Sequence, residues 1–137
     1  MFRTILVPVD GSDPSVHAVD TAIDLGRATG AEVVVLHVRE HELTWAVDVE
    51  VESLREATEL VDAYVRLFKD AGVSARGEVL RAAHGQTPRV ILDVAKHEDA
   101  DLIVIATHGL SGWSRLLLGS VAHKVVHLAR CPVLVVR

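Results

Sequence analysis

Residues Leu102 to Val121 read L-I-V-I-A-T-H-G-L-S-G-W-S-R-L-L-L-G-S-V. The opening run, Leu102 to Ala106, is apolar without alternation, as expected of a strand covered on both faces. It gives way to a loop carrying Gly109 and Gly112 and stops at Gly119-Ser120. A helical pattern follows at once, with Val121, Val125 and Leu128 on one face. A strand that empties through a glycine-bearing loop into a helix gathers backbone N–H groups and a positive helix end around one cavity. Anion binding is the chemistry this stretch predicts.

The rest of the chain keeps to the same alternation of strand, turn and helix. Thr4 to Val9 (T-I-L-V-P-V) is a first short apolar run, and Asp10-Gly11-Ser12-Asp13-Pro14 is the turn that leaves it. Ser12 or Asp13 suits a helix cap and Pro14 a first helical turn. Gly30 then ends a helix that carries Val19 and Ile23 at helical spacing. Glu32 to Val38 is β-branched and nearly continuous, a central parallel strand. Arg39 to Trp45 predicts a loop, and about Asp48 to Ala71 a long helix burying Leu54, Ala57, Val61, Tyr64, Val65 and Phe68 and stopped by Gly72. Ser74 to Arg81 predicts a third strand, at an edge because of Gly77. A helix with Thr87 as cap and Val90, Ile91, Val94 and Ala95 facing inward comes next. Asp101 precedes the fourth strand, and Val133 to Val136 is the fifth.

Strands alternating with helices predict a parallel sheet with helices on both faces. Ligands of such folds enter beyond the carboxyl ends of the strands, where the strand order reverses. Pro8-Val9-Asp10, Val38 and Ala106 to Gly109 all fall at such ends.

Composition narrows the functions. At 137 residues, the chain is expected to be one domain, 1–137, with no linker or repeat dividing it. Its net charge of -5, with no Lys/Arg cluster, argues against nucleic acid as a partner. No apolar run approaches a membrane span, and the N-terminus lacks signal-peptide organisation, so a complete, cytoplasmic protein is expected. Cys131 is the single cysteine, and beside Pro132 it reads as a small hydrophobe rather than a reactive thiol.

The spacing Ala106, two residues, Gly109, nine residues, Gly119-Ser120 resembles the nucleotide loop of the universal stress protein family, Gly-x2-Gly-x9-Gly-(Ser/Thr), and departs from it at the first position. I-L-V-P-V-D-G-S near the start, the L-H-V ending at Val38, A-D-L-I-V-I-A-T-H-G, and L-L-L-G-S-V-A followed by C-P-V-L-V-V-R carry the likeness over nearly the whole chain. The resemblance implies a Rossmann-like, doubly wound, five-stranded parallel sheet of strand order 3-2-1-4-5. It also implies a homodimer, here through the apolar strand Val133 to Val136, and ATP lying across the strand ends with Mg2+. On that likeness Asp10 serves the ribose and the metal, with Pro8 and Val9 close by, and the main chain of Val38 reads the adenine edge. Ala106 approaches the ribose, while His108, Gly109, Gly112, Gly119, Ser120 and Val121 surround the phosphates. One methyl at Ala106 is expected to be tolerated, because a residue closing a strand has negative φ.

There is no G-x-x-x-x-G-K-[ST] and no G-x-G-x-x-G, which removes a Walker-type triphosphatase and a dinucleotide fingerprint. His108 lacks a positioned nucleophile and reads as a polar loop side chain rather than a base. His123 and His127, four apart on one helical face, lack a third metal ligand, and His37 reads as a satisfied core residue. The expected function is a nucleotide-dependent regulatory protein with at most slow hydrolysis. A nucleotide-free interaction module and a weak ATPase or phosphotransferase are the alternatives.

Overall fold

The computed structural model describes residues 1–44, 47–50, 53–107 and 119–137. Ten elements follow in order: β1 (Thr4–Pro8), α1 (Asp13–Thr29), β2 (Glu32–Thr44), β3 (Val47–Glu50), α2 (Leu54–Asp70), β4 (Ala75–Ala83), α3 (Thr87–His97), β5 (Leu102–Ala106), α4 (Ser120–Leu128) and β6 (Val133–Val136). The five parallel strands lie in the order β4-β2-β1-β5-β6. Numbered as the five strands expected above, this is 3-2-1-4-5. The chain winds outward from β1 in one direction through β2 and β4, then crosses back and winds the other way through β5 and β6. The reversal therefore lies between β1 and β5.

Alternation along the strands divides the core into two layers. Ile5, Val7, Val33, Val35 and Val104 point toward α1 and α2, where they meet Val19, Val61 and Phe68. Leu6, Val34, Leu36, Ile103 and Ile105 point the other way, toward Ile91 and Val94 of α3 and Ala122 and Val125 of α4. Burial on both faces is why these strands carry apolar residues without polar alternation.

The region between β2 and α2 corrects the sequence reading. The second strand does not end near Val38 but continues to Thr44. Residues 47–50, expected to begin a long helix, form an antiparallel strand, with His41 opposite Glu50 and Thr44 opposite Val47. Two local signals account for this. Val47-Asp48-Val49-Glu50-Val51 has a period of two. Ser53-Leu54-Arg55-Glu56 is a serine-x-x-glutamate start signal, and the Ser53 hydroxyl accepts from the Glu56 N–H at 3.1 Å, fixing where α2 begins. Leu54, expected inward, is exposed as a result.

Two smaller differences concern caps and glycines. The cap of α3 is Gln86, and Thr87 is already helical, its hydroxyl turned to another partner. β4 does lie at the edge of the parallel sheet, but Gly77 answers to packing. A Cβ there would collide with Val61 of α2, so the glycine lets that helix lie close to the sheet.

Candidate functional site

The turn after β1 is organised by one carboxylate oxygen. Asp10 Oδ1 accepts from the Ser12 N–H at 2.9 Å, the Ser12 hydroxyl at 2.5 Å and the Ser15 hydroxyl at 2.7 Å. The Ser15 hydroxyl in turn accepts from the Asp10 N–H at 3.1 Å. Ser12, the residue capping α1, thus spends its side chain on Asp10 and not on the helix. Among the described residues no hydrogen bond falls on Oδ2, which leaves one anionic oxygen available at the strand end. The Tyr64 hydroxyl has its pKa raised, first by burial and then by the negative charges of Asp10 and Asp13, so it stays protonated.

β2 overhangs β1 and reaches back to hold it. Pro8 pairs with Leu36, the last partner in that register, and the next N–H, that of Val9, donates to the Leu36 carbonyl at 2.8 Å. His37 Nδ1 lies 2.7 Å from the Val9 carbonyl. A carbonyl only accepts, so that nitrogen carries the proton. His37 is buried, a satisfied core histidine as read from the sequence, and it fixes the main chain just before Asp10.

The junction between β5 and α4 is built differently. The Thr107 N–H donates to Val136 at 2.9 Å, and the Gly119 N–H donates to the Thr107 carbonyl at 2.5 Å, so the two ends of this connection are tied together. The first intrahelical bond of α4 runs from His123 to Gly119. The N–H groups of Ser120, Val121 and Ala122 therefore precede any intrahelical acceptor. Gly119 has no side chain to cap them. Its φ is -59°, open to any residue, so backbone conformation does not demand a glycine here. Ala106 likewise is an ordinary strand residue with no positive φ, as expected.

These two junctions face one cavity. Seven of the expected positions line it: Pro8, Val9, Asp10, Ala106, Gly119, Ser120 and Val121. Val38 does not; it lies farther along the β2 overhang, opposite Leu80, and packs with the α3/α4 layer. His108, Gly109 and Gly112 lie outside the described residues, as do Ser111, Trp113 and Ser114. The structure adds Ser15, Thr87, Ile91, Ile105, Thr107 and Ala122 to the wall. Ser15 had a readable signal, sitting one helical turn beyond Ser12. Thr87 and Ile91 had none, because α3 arrives from a distant part of the chain.

The other candidates resolve plainly. His123 and His127 are exposed, their rings near-parallel at 6.3 Å. Among the described residues no group of three His, Cys, Asp or Glu side chains could enclose a metal. Burial raises the pKa of the Cys131 thiol, which keeps it protonated.

A doubly wound sheet whose strand ends open onto an uncapped helix start belongs to the Rossmann-like class, in which the reversal point is where ligands enter. Within that class the profile of the universal stress protein family matches residues 1–137. The chain belongs to this family. Among its relatives, universal stress protein YxiE of Bacillus subtilis is 36% identical, with all of each chain covered. Among solved structures, the universal stress protein from Archaeoglobus fulgidus in complex with dAMP is 27% identical with a TM-score of 0.75, over 98% of each chain. A universal stress protein in complex with cAMP is 25% identical with a TM-score of 0.70, over 99% of this chain and 97% of that one.

Proposed function

We propose that this chain binds adenine nucleotides, ATP among them, at the cavity between β1 and β5 and acts as a nucleotide-dependent regulatory protein of the stress response. The observation that carries the reading is the start of α4. Three N–H groups without an intrahelical acceptor stand at the wall of a strand-end cavity behind a glycine that offers no cap. Such a helix start takes a phosphate. Asp10 lines the same cavity with an oxygen suited to a ribose hydroxyl. The dAMP and cAMP complexes of similar proteins support the choice of an adenine nucleotide.

Asp10 is the only titratable residue among the described ones lining the cavity. No second acid or base among the described lining residues stands with it to activate and position a water, so hydrolysis is expected to be slow. Mg2+ fits this donor set in one way: held mainly by phosphate and water, with Asp10 Oδ2 as a single protein oxygen. The protein acts as one domain and as a homodimer. Among the described residues β6 pairs only with β5, and Leu134 on β6 and Val126 and Leu128 on α4 are exposed. A second copy laid antiparallel along Val133–Val136 would cover that open edge. No described helix is long and apolar enough to cross a membrane, in keeping with a cytoplasmic place of action.

Denaturing the purified protein and identifying the released small molecules by mass spectrometry tests the reading, with titration calorimetry of AMP, cAMP and ATP beside it. Released or added adenine nucleotide bound at micromolar concentration is the expected result. A protein that is empty as isolated and silent in calorimetry is a nucleotide-free interaction module instead.

A further inference from the structure

Two serines touch the Asp10 carboxylate, and they hold it differently. Ser12 belongs to the turn, two positions beyond the aspartate, and its N–H and hydroxyl both reach Oδ1 from that one residue. Ser15 stands in the first turn of α1, 2% exposed, and its hydroxyl meets Asp10 at both ends. It donates to Oδ1 at 2.7 Å and accepts from the Asp10 N–H at 3.1 Å. One hydroxyl set between the main-chain N–H and the side-chain oxygen of the same residue closes a ring through N, Cα, Cβ, Cγ and Oδ1. That ring locks the aspartate side chain to the body of the helix, and turning the carboxylate away would break a bond to a buried hydroxyl. Asp10 and Ser15 both line the cavity, and Ser12 does not. A serine hydroxyl has one proton, and here that proton is spent on Oδ1, so Ser15 acts on a ligand through its neighbour.

We propose that Ser15 is a positioning residue: by bridging the N–H and Oδ1 of Asp10 it sets the carboxylate so that Oδ2 is presented to the ribose hydroxyls of a bound nucleotide. The proposal rests on the nucleotide reading above and adds to it the group that prepares the sugar contact. A carboxylate left to sample several rotamers must be ordered each time a ligand binds, and one already fixed escapes that cost. Ser15 therefore bears on the part of the affinity that comes from the ribose hydroxyls and not on the rest.

The test is calorimetry with AMP and with 2′,3′-dideoxyadenosine 5′-monophosphate, which lacks both ribose hydroxyls. The proteins are wild type, Ser15→Ala, Ser15→Cys and Ser12→Ala, each first checked for a cooperative thermal transition. The wild-type protein is expected to prefer AMP by about tenfold, the worth of one hydrogen bond to a carboxylate. Ser15→Ala removes a donor from Oδ1 and the acceptor of the Asp10 N–H together. It should cut the preference to about two- or threefold by weakening AMP, with the dideoxy nucleotide bound as before. Ser15→Cys keeps a weak donor and acceptor and should fall between. Ser12→Ala takes one of three donors from Oδ1 and leaves the Ser15 bridge whole, so the preference should stay within about twofold of wild type. A serine that merely held the turn together would weaken both nucleotides alike, so an unmoved ratio in Ser15→Ala overturns the proposal. If Ser15→Ala loses its thermal transition, the ratio in Ser15→Cys decides in the same way. Wild-type protein that binds the two nucleotides equally also overturns the proposal, while nucleotide binding stands. Wild-type protein that binds neither overturns the nucleotide reading and this proposal with it.

Discussion

The β1–α1 junction and the β5–α4 junction are the same device put to opposite uses. Each leads from a buried strand to a helix start at the carboxyl edge of the sheet, with a serine at the cap of the first, Ser12, and just after the cap of the second, Ser120. At the first, a carboxylate and two hydroxyls close on one another within six residues, Asp10 to Ser15, so the polar groups are satisfied locally. At the second, the cap is Gly119, its N–H is tied back to Thr107, and the next three N–H groups are left uncapped. Neither helix has a side-chain cap, but α1 has Pro14, which lacks an N–H, and its Ser15 N–H bonded to the Ser12 carbonyl, whereas α4 leaves three N–H groups at the cavity, and free N–H groups at a helix start are a binding surface. Both helices begin from extended backbone at the cap, with ψ near 160°, so the difference does not lie in the conformation there.

The strongest way to break this contrast is to fill the open junction. Gly119→Val should fold, because φ of -59° admits any residue, yet weaken adenine nucleotide by roughly a hundredfold or more. Each phosphate hydrogen bond forfeited is worth about 1.5–3 kcal/mol. Calorimetry with a circular dichroism control measures both, and unaltered affinity would remove α4 from the site. Opening the closed junction comes next. Asp10→Ala orphans the Ser12 and Ser15 donors, so urea denaturation should show a loss of about 2 kcal/mol, with affinity down about tenfold. Asp10→Asn keeps an Oδ1 acceptor and should recover most of the stability. If Asp10→Ala costs affinity but no stability, the turn is not held by this carboxylate.

A finer test bears on the strand between the junctions. Ala106→Gly relieves one methyl at the ribose side of the cavity and should tighten nucleotide a few-fold, about the 1 kcal/mol scale of a small steric change. No change, or a fall, would show that the methyl crowds nothing.

The smallest effect belongs to a network remote from both junctions. Arg76 binds Glu32, Glu78 and Glu98, joining β2 and β4 to the end of α3. The hydrogen bond from Arg76, ahead of its charge, depresses the Glu98 pKa. A carboxylate with a depressed folded pKa contributes stability that is present above its unfolded value, near 4.3, and lost as pH falls through the folded value. Glu98→Gln should therefore lower the melting temperature slightly at pH 7 and by progressively less as the pH falls below the unfolded value, with nucleotide affinity unchanged at pH 7. A change in affinity would mean that the remote network and the cleft are coupled.

Much of this was legible along the chain because it depends on local pattern. The continuous apolar strands announced burial on both faces, Gly30 and Gly72 marked helix ends in left-handed backbone, and Asp10, Ala106 and Gly119-Ser120 sat at predictable strand and helix termini. The resemblance supplied the order of the strands, which no local pattern encodes. The β2–β3 hairpin was misread where charge and apolar residues mix, although a two-residue period and the Ser53 start signal were there to be weighed.

The amino-acid sequence by itself determined the elements, their alternation and the place of the open helix start, since hydrophobic period, turn residues and caps act over a few residues. Only the tertiary structure decided what those elements enclose. It brought Thr87 and Ile91 to the cavity from α3, committed the Thr87 proton to Glu40 across 47 positions of chain, and left Val38 off the wall. Such pairings depend on how far each strand overhangs its neighbour, a distance set by sheet register and helix packing together.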